Sequence, residues 1–348
     1  MLFRNMKNLF VLLAGFGMLL GLTPAPVFAW DYEVHRFINQ MALASLPTNF
    51  PAFVRAPAAQ ERIGFLAGEP DRWRNTPDLS LRHCNGPDHF LDAEDLAQHG
   101  LTPETLNQFR YDFVKQLVFG RAMHATNFPF FPNTKDLDHT RPLIGFLPWS
   151  MTEYYSKLKS EFSYLKEFEE AGTPEEVENA RQNIIYTMGV MGHFVGDATQ
   201  PLHTTRHYNG WVGSNPNNYT TERGFHSWID SGFLQAVGVK TNETFAKIRS
   251  ARLPWPNESA PCTNAFPAML SFVLDQAKLV EPLYQMEKDK KLVADDKGAE
   301  AGRDFLTGQL LKGAQMLGDL WYAAWQEAPR DTYLQKDLAK RKAAPPTR

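Results

Sequence analysis

The sequence predicts an all-α, single mostly helical domain with long functional loops, and three observations carry that expectation. Apolar residues recur at helical spacing in several long stretches. No run alternates with period two for long enough to make a sheet. The long central stretch also opens on a helix start signal, Thr173 followed by Pro174, Glu175 and Glu176.

The elements follow in order. Residues 1–29 read as a signal peptide, with Arg4 and Lys7 ahead of an apolar run from Leu9 to Leu22 and a Val27-Phe28-Ala29 cleavage signal. The run is short for a membrane span and ends in prolines. The expected mature chain is therefore exported, to a periplasm or beyond the cell, and begins at Trp30. Helices are expected from Tyr32 to Ala44 and from Ala58 to Leu66, the latter leading to Gly68-Glu69-Pro70-Asp71-Arg72-Trp73-Arg74 and a turn-rich loop. Periodicity resumes from Thr102 to Met123 and from Trp149 to Glu169, with a Phe- and Pro-rich loop from Asn127 to Pro148 between them. The long central helix spans Pro174 to Gly196. A polar loop, His207 to Gly224, precedes a helix carrying His226 and Asp230. Two more helices are expected over Phe266 to Lys288 and Ala299 to Gln326, so the domain runs from 30 to 335 and a basic tail, 336–348, is expected to fray.

Composition narrows the chemistry. With 348 residues, 43% of them hydrophobic, the chain can build a sizeable core. A net charge of −3 offers no nucleic-acid-coating surface, though an enzyme can also meet phosphates through metal ions. Ten histidines against two cysteines argue against thiolate ligands. Export would permit Cys84 and Cys262 to pair, and two free thiols are equally compatible with the sequence.

The chemistry concentrates in Gly192-His193-Phe194-Val195-Gly196-Asp197-Ala198-Thr199-Gln200-Pro201-Leu202-His203. His193 and Asp197 are four apart and share a helix face. Pro201 ends or kinks the helix, with His203 just beyond. His226 and Asp230 repeat the spacing. Five nitrogen and carboxylate donors within 38 residues suit Zn²⁺, and the repeated carboxylates point to a catalytic, polynuclear site.

Collected in order, the candidates are Trp30, His35, Asp71, His89-Phe90-Leu91-Asp92, His193-x3-Asp197-x5-His203 and His226-x3-Asp230. This set resembles the superfamily of zinc-dependent phospholipases C and single-strand-specific nucleases (3′-nucleotidases). The resemblance implies three zinc ions: one on Asp71, His89, His193 and Asp197, and a second on His203, His226 and Asp230. The third would be held by the α-amine and carbonyl of Trp30, by His35 and by Asp197, which would bridge two ions. It further implies that Asp71 orients or deprotonates the attacking water and that Arg74 meets charge developing on the phosphoryl group. Phe90 and Asp92 stand where the nucleases stack and hydrogen-bond a base.

The chain also departs from that pattern. From His89 to His193 it runs 104 residues, longer than in compact members of the family. The extra length, the Phe- and Pro-rich loop and the charged helix before the central one, is an insertion expected to form a lid or wall. The Gly-Gly-Asn element that the nucleases tend to carry after the equivalent of His203 is absent. The leading expectation is an exported phosphodiesterase acting on single-stranded nucleic acid or nucleotides. A phospholipase C acting on a phospholipid head group is the alternative, with Glu33 where such enzymes bind choline. A non-catalytic zinc-binding exported protein is the remaining one.

Overall fold

The computed structural model describes residues 32–128, 132–255 and 262–343. The expected signal peptide and Trp30 lie outside the described residues.

Helix α1 (Tyr32–Ser45) is followed by α2 (Pro57–Leu66), with Pro57 at its first turn where a missing N–H does no harm. Two short helices come next, α3 (Glu69–Arg74) and α4 (Leu79–Asn85). They occupy the stretch expected as an irregular segment and loop. Pro70 opens the first, and the Asp78 carboxylate caps the second by accepting from Leu81 N at 2.9 Å. Helix α5 (Arg110–Met123) begins eight residues later than its periodicity suggested. Asn107 diverts the backbone, because its side-chain oxygen accepts from Phe109 N at 2.9 Å and closes a turn in place of a helical bond.

The charged helix α6 (Leu147–Ala171) and the central α7 (Pro174–Asp197) form a hairpin. Thr173 and Glu176 cap α7 reciprocally, Glu176 N donating to the Thr173 hydroxyl at 3.3 Å and Thr173 N to the Glu176 carboxylate at 2.8 Å. Beyond the loop come α8 (Phe225–Ser227), a π-helical turn (Trp228–Gly232), α9 (Phe233–Val237) and α10 (Thr241–Phe245). The expected Phe266 to Lys288 helix is two, α11 (Phe266–Ala277) and α12 (Val280–Lys288), because the Pro282 ring clashes with the carbonyl four residues back. Helix α13 (Ala299–Gln326) runs as expected. The basic tail does not fray where it is described: α14 (Thr332–Ala343) buries Leu338 and pairs Arg341 with Glu176 at 2.7 Å. Among the described residues there is no strand. Cys84 and Cys262 are both free thiols.

Helix α7 lies at the centre, flanked by α1, α2, α6 and α13. Ile38, Met41, Phe162, Ile184, Met188, Phe194, Leu317 and Trp321 are fully buried between these helices, each stabilising the fold by about 1.5–3 kcal/mol. The α1–α7 crossing is unusually close. Asn39 on α1 donates to Ile63 O at 2.9 Å and Gly189 O at 3.1 Å, which ties α1, α2 and α7 together. Gly192 permits it, since a Cβ there would sit 1.8 Å from Asn39 Oδ1. One turn on, a Cβ at Gly196 would meet His35 Nδ1 at 2.7 Å.

Gly192→Ala must push α1 away, and we expect about 1–3 kcal/mol of lost stability by urea titration; an unchanged midpoint would contradict the crossing. Glu161 on α6 supplies a second check. Its Oε1 accepts from Thr187 on α7 at 2.7 Å, while Oε2 is buried without a hydrogen-bond partner. Burial pushes this carboxyl up from 4.5 to about 7, so the fold binds a proton that the unfolded chain has released. That stabilisation is complete below pH 4.5 and is lost as pH rises to about 7. Glu161→Gln should flatten this part of the stability–pH curve, raising stability above pH 7 relative to the parent; parallel curves would refute it.

Candidate metal centre

The residues singled out from the sequence come from distant segments, and the packing of α7 brings them to one place. His193 and Asp197 project from the last turn of α7, and His35 faces them from α1 across Gly196. Asp71 sits on α3 and His89 at the end of a 3₁₀ turn, Gly86–His89. His203 lies in a second such turn, Pro201–Thr204, immediately after α7. His226 and Asp230 straddle the junction of α8 with the π-helical turn, a local widening of the helix that is frequent at functional sites.

Three groups result: His35, His193 and Asp197; Asp71, His89 and His193; and His203, His226 and Asp230. In each, the donor atoms lie within 4.8 Å of one another, so each group is able to hold a metal ion. Asp197 is buried and its two oxygens face different ways. Oδ2 is 2.9 Å from His89 Nδ1 and 3.2 Å from His193 Nε2, whereas Oδ1 is 3.5 Å from His35 Nε2. A carboxylate so placed can serve two ions at once. Asp71 Oδ1 lies 3.8 Å from His193 Nε2, 3.9 Å from His89 Nδ1 and 2.9 Å from Arg74 Nε.

Backbone carbonyls choose the tautomers. His193 Nδ1–H donates to Ala67 O at 2.7 Å, His203 Nδ1–H to His89 O at 2.7 Å, and His226 Nδ1–H to Tyr208 O at 3.3 Å. Each ring then turns a bare Nε2 into the cluster, the arrangement expected of a metal-binding imidazole. In the neutral ring, His226 Nε2 consequently faces Asp230 Oδ2 at 2.8 Å, acceptor against acceptor. Among the described residues, His35 Nδ1 and Nε2, His203 Nε2 and Asp230 Oδ2 are buried with no hydrogen-bond partner. Leaving such groups unpaired costs about 1–3 kcal/mol each, and a cation between them removes that penalty.

Protonation divides the rings. Burial opposes charge on His193 and His226, but Asp197 with Asp71 raises the first and Asp230 the second; the other three are lowered. Burial lowers the His35 and His203 imidazoles below their ordinary value, and burial with the nearby Arg74 takes His89 down to about 3. These rings are neutral at pH 7, the form that ligates metals. Burial opposes the charge on Asp197 too, but His193 and His203 hold its carboxyl well below the usual range.

A cleft of about 850 Å³ opens onto the cluster, and His203, His226 and Asp230 reach its floor. Arg74, Phe90 and Asp92 line it, as do Arg82, Lys135, Arg141, Tyr208 and Arg223. Burial and the neighbouring Glu94 and Asp95 push the Asp92 carboxyl well above the usual carboxylate range. No family model matches the chain, and no curated protein matches it.

Every expected metal ligand except Trp30, which is outside the described residues, is thus in the cluster, with Arg74, Phe90 and Asp92 beside it. Trp211 stacks on His207 at 3.9 Å within a loop core with Tyr219 and Tyr284 and does not line the cleft. Sequence reasoning missed Gln200, which donates to Asp230 Oδ1 and accepts from Leu202 N at 2.9 Å. Its place inside the His193-to-His203 motif was the available signal. The cations of the wall carried no spacing signal.

Stripping the protein with a chelator should lower its unfolding free energy. Re-adding divalent metal at a hundredfold excess over Kd should restore about 2.7 kcal/mol per site. Asp197→Asn should release more metal than Asp230→Asn by plasma mass spectrometry after dialysis; equal losses would show that Asp197 serves one ion only.

Proposed function

We propose that the chain is an exported zinc-dependent phosphodiesterase of the phospholipase C and single-strand nuclease type, hydrolysing single-stranded nucleic acid or nucleotides. One observation carries the reading: three His/Asp groups share one buried cluster whose open side is a cleft lined by Arg74, Phe90 and Asp92. Their donors are nitrogen and carboxylate oxygen only, which suits Zn²⁺. The spacing fits as well. Donors bonded to a tetrahedral ion at about 2.0–2.1 Å lie about 3.3 Å apart, close to the 3.2 Å between His193 Nε2 and Asp197 Oδ2. His35 and Asp197 would hold the third ion together with the N-terminal Trp30 exposed by signal cleavage.

Bound zinc would supply a water acidic enough to attack at neutral pH and would neutralise phosphate oxygens. The protein's own groups do the rest. Asp71, aimed by its ion pair with Arg74, accepts a hydrogen bond from the attacking water and turns it toward phosphorus. Arg74, in the cleft wall, faces charge growing on the phosphoryl oxygens. Phe90 offers a ring face to a base. Asp92, whose carboxyl burial pushes well above the usual range, can accept at a base edge, and donate there when protonated.

The phospholipase alternative has less support. A choline head group is held by carboxylates free of cations or by an aromatic cage. This cleft instead sets five cations, Arg74, Arg82, Lys135, Arg141 and Arg223, among its carboxylates and pairs Asp138 with Arg82. Glu33, the residue that suggested choline, is exposed on α1 and does not line the cleft.

Processed, zinc-loaded protein should turn over single-stranded DNA, RNA or 3′-nucleotides faster than phosphatidylcholine micelles. Turnover of none of the nucleic substrates would sink the proposal, and phospholipid turnover alone would favour the alternative. Arg74→Ala should lower kcat by about a hundredfold or more with zinc content unchanged; unaltered kcat would remove Arg74 from the reaction.

A further inference from the structure

The insertion between His89 and His193 builds one wall of the cleft from residues 134–143, together with α4, which precedes His89. Its far end is pinned directly to the His89 element. Asp92 N donates to Ile144 O at 2.7 Å, Phe146 N to Pro87 O at 2.7 Å and Leu147 N to Phe90 O at 3.1 Å. Gly145 makes the contact possible, with φ of 97° and room for no Cβ, which would fall 1.9 Å from Phe90 O. The turn above is closed by Asp136, whose buried carboxylate accepts from Thr140 N at 3.0 Å and Arg141 N at 3.2 Å. Asp138 then joins the turn to α4, pairing with Arg82 at 2.8 Å and accepting His83 Nδ1–H on its carbonyl at 2.7 Å. The wall is therefore a fixed surface.

That surface is cationic. Arg82, Lys135 and Arg141 line the cleft from it, against the single carboxylate Asp138, which Arg82 already neutralises. Lys135 and Arg141 are exposed, and among the described residues no carboxylate pairs with Lys135. A protein of net charge −3 has concentrated positive charge on one side of its cleft, where it focuses the field toward an anion.

We propose that this wall is a flanking-phosphate subsite: Lys135 and Arg141 hold backbone phosphates next to the one being cleaved. They would make the enzyme prefer a chain to a single phosphodiester. The inference rests on the phosphodiesterase reading for its substrate, but its binding test does not.

The test uses zinc-loaded, full-length processed protein and two readouts. Fluorescence anisotropy with a labelled phosphorothioate oligothymidylate is followed across NaCl concentrations. Steady-state kinetics compare oligothymidylate with bis(p-nitrophenyl) phosphate, which has no flanking phosphate. Lys135→Ala with Arg141→Ala should reduce the slope of log K against log salt by about 1.4, at about 0.7 per cation for single strands. It should raise KM for the oligonucleotide about tenfold and leave the small ester within about twofold. Lys135→Glu alone, a change confined to an exposed side chain, should reduce the slope by a similar amount. Unchanged slopes in both variants would overturn the subsite, whatever the turnover. A reduced slope in a protein that hydrolyses neither substrate would support the subsite while overturning the phosphodiesterase reading.

Discussion

Asp197 is a carboxylate with no access to water, and much of the molecule is arranged around that fact. Ionised groups withdrawn from solvent cost several kcal/mol unless partners surround them. Here four imidazoles do: His89 and His193 at Oδ2, His35 and His203 at Oδ1, with the last 3.6 Å away. To collect them, α7 must lie at the centre and α1 must cross it closely. Gly192 and Gly196 supply that closeness, one turn apart on the face that α1 approaches. The apolar packing of α1, α2, α6 and α13 around α7 is thus also the means by which the cluster is kept dry and rigid.

The ring orientations depend on the loops more than on the helices. Three carbonyls, Ala67 O, His89 O and Tyr208 O, each take one Nδ1–H. Ala67 ends α2, where the carbonyl end of the helix dipole favours a donor. His89 O ties the two 3₁₀ turns together, and Leu91 N returns the bond to His203 O at 2.9 Å. Ligands on helices are set in distance by spacing, but the lone pairs are set in direction by these irregular segments.

This division explains what could be read in the sequence. The His-x3-Asp pairs were legible because a helix puts positions four apart on one face whatever surrounds it. The cap at Thr173 and the extent of α13 were legible for the same local reason. Other features depended on competition between local and distant contacts. Asn107 delayed α5, and Pro282 split the helix expected after Phe266. The tail was expected to fray on charge and proline content, yet Arg341 finds Glu176, a partner far away along the chain. The insertion also divided in an unforeseen way. Its Phe- and Pro-rich part became the cleft wall, while its charged helix, α6, became core packing for α7.

The cleft brings together carboxylates whose surroundings shift them in opposite directions, and the loop after His203 maintains the difference. Asp71 pays for burial but is kept ionised by His193, Arg74 and His89. Asp92 is shifted the other way: Glu94 and Asp95 reinforce burial and push it well above the usual carboxylate range, against Arg206. Those two acids are themselves fixed by the segment just past His203. Glu94 accepts from the Thr205 hydroxyl and from Arg206 N at 3.0 Å, and Asp95 pairs with Arg206 at 3.1 Å. Arg206 is thereby drawn toward Asp95, where it offsets the charge around Asp92 only in part. The segment that follows His203 therefore acts on the cleft through Glu94 and Asp95. Its side chains set whether Asp92 meets a substrate as a donor and acceptor or as an acceptor alone, and under the proposed reading that decides which base edges it can recognise.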